Sequence, residues 1–149
     1  MRAVVQRVLR ARVDVGEECV AEMGEGLLVL VGVGQKDSER DAKELVRKIT
    51  GLRIFEDDEG RMNRSLIDVG GCLGLVSQFT LWADVRKGRR PGFANAAPPE
   101  FAEPLFDCVC AEARHVAAKV VAGRFGAMMD VSLVNSGPVT ILLDTERTF

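Results

Sequence analysis

At 149 residues, with 47% hydrophobic and 28% charged residues, the chain is long enough for one self-sufficient core and too apolar for wholesale disorder. The 20 Lys and Arg against 22 Asp and Glu leave a formal charge of -2, which excludes a broad basic surface of the kind that coats DNA and restricts any nucleic-acid contact to a local patch. The opening residues lack the pattern of a secretory signal and the early apolar run over residues 27–33 is too short to span a bilayer, so the expectation is a cytoplasmic protein with one domain over residues 1–149 and no membrane contact.

In chain order, residues 3–8 and 11–15 read as two strands parted by Leu9-Arg10, and Gly16-Glu17-Glu18 as a turn into another strand over residues 19–23. Residues 27–33 are apolar without alternation, which predicts a central strand covered on both faces. Asp37 and Ser38 offer an N-cap, Ala42, Leu45, Val46 and Ile49 form one apolar helix face, and Gly51 stands where a helix takes its terminating glycine. Residues 53–56 read as a strand, 57–60 as a polar turn and Asn63-Arg64-Ser65 as part of a loop. A strand starting at Cys72 is expected to run on into Ser77-Gln78-Phe79-Thr80-Leu81.

Residues 83–93 are basic, bear glycine and show no periodicity, as in a loop. A helix is expected from Pro98-Pro99-Glu100, with Phe101, Leu105, Val109, Ala113, Val116 and Val120 at helical spacing as far as Gly123; Pro104 predicts a kink or a start a few residues later. Residues 131–134 and 139–143 read as two strands. Between them lies Gly137-Pro138, a turn, edge or loop tip between firm supports, because proline donates nothing to a ladder.

The common catalytic signatures are missing: no Gly-x-Ser-x-Gly elbow, no phosphate loop, and a single histidine, His115, inside a helical pattern. Cys19, Cys72, Cys108 and Cys110 form no Cys-x-x-Cys pair and are expected to be free buried thiols, and the acidic run over residues 56–59 reads as a solvated turn, so neither metal nor cofactor is expected. Ser77-Gln78-Phe79-Thr80 has two readings. It is either an amphipathic strand, or a set of polar groups at a strand end beside Arg86, Lys87, Arg89 and Arg90, suited to a polar ligand on a phosphate-bearing chain.

Ser77-Gln78-Phe79-Thr80-Leu81 and Asn135-Ser136-Gly137-Pro138-Val139-Thr140 resemble the two signature motifs of the D-aminoacyl-tRNA deacylases, the DTD family. The resemblance continues through Val5-Gln6-Arg7-Val8, residues 26–33, Leu52-Arg53-Ile54-Phe55, Met62-Asn63-Arg64-Ser65, residues 86–91 and residues 123–127, nearly the whole chain in the family's order. It implies a homodimer of α/β subunits, each a single domain with a strongly curved, barrel-like β-sheet and helices packed outside. It further implies hydrolysis of the ester between a D-amino acid and the 3′ end of tRNA, with glycyl-tRNA, including glycine mischarged on tRNA(Ala), as a second substrate. L-aminoacyl-tRNA is then rejected by a cis Gly137-Pro138 pair that reaches into the partner's site.

Carried over residue by residue, the resemblance makes Ser77, Gln78, Phe79 and Thr80 the catalytic motif, with Phe79 and Thr80 acting through their backbone. Gly137 and Pro138 form the chiral filter, Arg7 braces it, Phe125 and Met129 line the pocket, and Arg86, Lys87, Arg89 and Arg90 meet tRNA phosphates. The family admits two readings of Thr80, as nucleophile or as bystander to the substrate's own 2′-hydroxyl. The second is favoured here, because no side chain nearby in sequence would activate Thr80. Ser136, Trp82 and Pro104 depart from the family's usual residues. The alternatives are a non-catalytic nucleic-acid-binding module on the same fold, and a related editing enzyme with a trans Gly-Pro bond acting on mischarged L-amino acids. The intact Ser-Gln-Phe-Thr motif argues against the latter.

Overall fold

The computed structural model describes Met1–Phe149. The elements are β1 (Arg2–Val15), β2 (Glu18–Met23), β3 (Gly26–Gly32), α1 (Glu39–Gly51), β4 (Phe55–Glu56), β5 (Met62–Arg64), α2 (Leu66–Val69), β6 (Cys72–Ser77), a 3-10 turn (Phe79–Trp82), α3 (Pro99–Val116), β7 (Lys119–Ala122) and β8 (Asp130–Asp144). Six strands share one mixed sheet in the order β2-β1-β3-β6-β7, with β8 also paired to β1, while β4 and β5 form a separate ribbon. The first half of β1 pairs with β3 and its second half with β2, as β8 runs along its other edge, and the sheet curls into a nearly closed barrel.

Curling gives the sheet two apolar faces. Val5, Leu27, Val29, Val31, Leu73 and Leu75 meet the inner faces of α1 and α3, and Val8, Ala11, Val13, Met23, Leu28 and Val76 fill the other side. β3 is therefore covered on both faces, which explains its unbroken apolar run. On α1, Ala42, Leu45, Val46 and Ile49 are all buried, and each fully buried Leu or Ile contributes about 1.5–3 kcal/mol relative to exposure. The helix starts at the Ser38 cap, whose own N–H donates back to the Asp41 carboxylate at 3.0 Å.

Several local expectations change. Residues 3–15 are one strand, because Leu9 bulges out where the register with β8 shifts between Val8 and Arg10. The extra residue lets Val8 and Ala11, an odd number of positions apart, face the same core. Gly51 is the last helical residue, and the chain leaves it through extended Leu52 without a left-handed cap. Asn63 and Arg64 lie in β5, and Ser65 caps the short helix α2.

The long helix begins at Pro99 and includes Pro104 on its exposed side. It ends at Val116, and Val120 belongs to β7, whose apolar residues pair with β6 and pack on the sheet core rather than continuing the helix face. Of the four free cysteines only Cys72 and Cys110 are buried, and burial pushes the Cys110 thiol up to about 11. Cys19 is exposed, since β2 lies at the sheet's rim.

Candidate functional site

β3, β6 and β7 run parallel, so the segments leaving them gather at one end of the sheet. The carboxyl ends of parallel strands are where open α/β sheets bind ligands. β6 stops at Ser77, the Gln78 N–H bonds the Val31 carbonyl at 2.7 Å, and the chain then tightens into the 3-10 turn Phe79–Trp82. The expected strand through Leu81 is thus replaced by a turn. Two glycines make room for it: a Cβ at Gly32 would lie 2.9 Å from the Gln78 carbonyl oxygen, and one at Gly34 2.4 Å from the ring of Trp82. Trp82 is buried and anchors the turn, leaving Phe79 and Thr80 exposed.

The turn's first internal bond runs from the Leu81 N–H to the Gln78 carbonyl, at 3.3 Å. The N–H groups of Phe79 and Thr80 precede it and are not used by the turn's own ladder. Side-chain chemistry here is sparse. Gln78 Nε2 donates to Thr80 Oγ1 at 2.5 Å, and an amide N–H cannot accept the hydroxyl proton. Nothing in this contact turns Thr80 into a nucleophile.

The basic segment closes on itself. Asp84 and Gly92 exchange backbone bonds of 2.7 and 2.9 Å, and the Phe93 ring meets Phe79 edge-on with centroids 5.0 Å apart. The loop is thereby tied to the turn. Arg86 forks onto the Asp84 carboxylate, with Nε and Nη2 at 2.9 and 2.6 Å from its two oxygens, and holds that carboxyl well below the usual range. Lys87, Arg89 and Arg90 project into solvent without such a partner. Arg86 is the one cation of the four already neutralised within the chain.

Gly137-Pro138 lies within β8 rather than between two strands. Gln6 pairs with Thr140 and Val8 with Asn135, so Ser136–Val139 stand opposite Arg7 alone and must pucker away from the ladder. The Gly137-Pro138 peptide bond is cis, and both residues are exposed. Buried beneath them, Arg7 donates from Nε to the Ser136 carbonyl at 3.4 Å and from Nη1 to the Ile54 carbonyl at 2.5 Å. The Asn135 side-chain amide lies against the carbonyls of Arg7 and Val139, and with its nitrogen turned toward them it donates to both, at 2.8 and 3.2 Å.

The two motifs do not meet within one chain. Ser77 pairs with Val31, which pairs with Ala3, whereas Gly137 lies opposite Arg7, four residues or roughly 13 Å further along β1. The Gly123 N–H bonds the Leu75 carbonyl at 2.9 Å, so the loop carrying Phe125 and Met129 leaves beside the strand end that bears Ser77. Both side chains are half-buried. Phe125 packs against Phe106 on the helix side, with centroids 6.1 Å apart, while Met129 joins the opposite core cluster, so the pair does not form a single wall. Sequence reasoning did not single out Phe93, Arg2 or the supporting Gly32 and Gly34, whose roles depend on neighbours distant in the chain. No cluster of three or more metal-ligating side chains is formed, and no helix is long and apolar enough to cross a membrane.

A family model described as D-Tyr-tRNA(Tyr) deacylase matches residues 4–144. The D-aminoacyl-tRNA deacylase of Roseiflexus sp. (strain RS-1) is 60% identical over 145 residues, covering 97% of this chain and 94% of that protein. The D-aminoacyl-tRNA deacylase of Symbiobacterium thermophilum is 56% identical over 149 residues, covering 100% and 99%. Among solved structures, one described as c-Myc DNA unwinding element binding protein superposes with a TM-score of 0.93 at 41% identity, over 97% of this chain and 99% of that one. A probable eukaryotic D-amino acid tRNA deacylase gives a TM-score of 0.81 at 19% identity over 95% and 97%, a likeness of fold.

Proposed function

Because this chain belongs to the D-Tyr-tRNA(Tyr) deacylase family, we propose that it hydrolyses the ester of D-aminoacyl-tRNA to free amino acid and tRNA. The observation that carries the mechanism is the pair of N–H groups on Phe79 and Thr80, left over by the turn at the carboxyl end of the parallel strands. As water attacks the ester carbonyl, negative charge grows on its oxygen. Two preorganised N–H donors aimed at that oxygen stabilise the charge without reorganisation. The ester is already activated, and the neighbouring 2′-hydroxyl of the ribose is available to assist. The protein's task is then positioning, which suits a site without a base beside Thr80.

Stereochemical selection falls to Gly137-Pro138, supplied by a second copy of the chain in a homodimer. Support for this comes from their exposure, their firm underpinning by Arg7, and their separation from the Phe79–Thr80 turn within one subunit. Unyielding backbone placed where an L-side chain would point rejects every L-residue whatever its chemistry, while a D-side chain points outward. Glycine has no side chain to reject, so glycyl-tRNA, including glycine on tRNA(Ala), is also a substrate. Lys87, Arg89 and Arg90 meet the phosphates of the tRNA 3′ arm, and the protein works in the cytoplasm with its substrate.

The test is deacylation of one tRNA charged with D- or L-tyrosine. Rapid loss of the D-ester alone supports the proposal, and loss of neither sinks it. The second reading, a nucleic-acid-binding module without catalysis, is favoured by the structural likeness to a protein described as binding a DNA unwinding element. Tight binding of uncharged nucleic acid by a chain that leaves both esters intact would establish it.

A further inference from the structure

We propose that Arg2 is a positioning residue for the deacylation, holding the Phe79–Trp82 turn from behind so that its leading N–H groups keep their aim. The inference rests on the reading that Phe79 and Thr80 hold the ester. Arg2 sits on β1, with its backbone between Gly32 of β3 and Asp144 of β8. Its Nη1 donates to the Leu81 carbonyl at 3.1 Å, and its Cζ lies 4.1 Å from the centroid of the Trp82 ring. Its buried Nε makes no hydrogen bond but faces the buried Asp144 carboxylate at 3.5 Å, an ion pair. That carboxylate is held in turn by the Glu146 N–H at 2.8 Å and by the Thr148 hydroxyl.

The two ends of the turn have complementary needs. Its leading N–H groups are not used by its own ladder, and at its trailing end the Thr80 carbonyl accepts from the Ala83 N–H at 3.0 Å while the Leu81 carbonyl lies beyond that last bond. A guanidinium on the Leu81 carbonyl satisfies the trailing end and places positive charge at the carbonyl end of the peptide dipoles. The same planar group lies over Trp82, the side chain that anchors the turn in the fold. Rotation of the turn about that anchor would swing the Phe79 and Thr80 N–H groups away from the ester. Arg2, bonded to the Leu81 carbonyl and attracted by the Asp144 charge, opposes the rotation. Lysine would keep the charge but lose the fork that reaches Leu81, Trp82 and Asp144 together.

Arg2→Lys, Arg2→Met and Asp144→Asn in the full-length chain test this, with kcat and KM measured on D-tyrosyl-tRNA. Trp82, the only tryptophan, provides an emission signal from the turn itself. In variants shown by circular dichroism to be folded at the assay temperature, kcat should fall by about tenfold or more while KM stays near wild type. Trp82 emission and acrylamide quenching should change in both Arg2 variants, and Asp144→Asn should move both readouts in the same direction by less. Wild-type kcat in a folded Arg2→Lys, or a loss confined to KM, overturns the proposal. If the wild-type chain fails to deacylate, the proposed function falls. Unchanged Trp82 quenching in Arg2→Lys then also overturns the claim that Arg2 holds the turn.

Discussion

Arg7 closes off the space that a side chain on Gly137 would enter: a Cβ there would lie 2.8 Å from Arg7 Nη2 and 2.9 Å from a methyl of Val139. Gly137 also has φ 115, a conformation that L side chains rarely adopt. Gly137→Ala should therefore displace the Ser136–Val139 pucker, at a local cost of about 1–3 kcal/mol. D-tyrosyl-tRNA deacylation should drop by about tenfold or more in protein that still melts cooperatively. Wild-type activity with an unchanged melting temperature would show that the pucker neither resists the methyl nor serves the reaction.

Thr80→Ala tests the absence of a side-chain nucleophile. Removing an activated nucleophile costs on the order of 10⁴-fold or more in kcat. Here the Thr80 hydroxyl receives a bond from Gln78 and faces no base, so kcat for the D-ester should stay within about tenfold of wild type. A collapse on the larger scale, in a folded variant, would make Thr80 the nucleophile.

The four loop cations should separate by their partners. Each phosphate contact with single-stranded nucleic acid contributes about 0.7 to the slope of log K against log salt. Replacing Lys87, Arg89 and Arg90 together by Ala should flatten the slope for tRNA binding by about 2 while leaving the preference for the D-ester intact. Arg86→Ala should loosen the loop at Asp84 and change the slope less than any of the other three single replacements, because Arg86 is already engaged by Asp84. Equal effects from all four would mean that the Asp84 pair opens on binding.

Asp144 links the turn's support to pH. Burial alone would push its carboxyl up, but the Thr148 hydroxyl, the Glu146 N–H and Arg2 together hold it below the usual carboxylate range. A carboxyl whose pKa is depressed in the folded state stabilises fully above its unfolded value, about 3.9, and that contribution disappears as pH falls through the lower folded value. Stability measured by urea unfolding should fall as pH drops below about 4, and Asp144→Asn should flatten the fall. An identical acid slope in wild type and variant would remove Asp144 from the linkage.

The apolar spacing of Ala42, Leu45, Val46 and Ile49 sufficed to place a helix and choose its buried face, because helical periodicity is a property of the local chain. The unbroken run at 27–33 likewise announced a strand covered on both sides, and the motif order along the chain carried the family. What happens at Leu9, Gly137 and Val120 was decided elsewhere. Leu9 bulges, and Ser136–Val139 pucker, because β1 and β8 must keep register across more than a hundred intervening residues. Val120 sits at a helical interval from Val116 but finds its ladder partner in Leu73. Arg2 and Trp82 are eighty residues apart, and only the curled sheet that sets β1 beside the end of β6 gives the arginine a carbonyl and an indole to hold. Local pattern determined the elements and the motifs; long-range strand pairing determined which backbone groups the ladders leave unused.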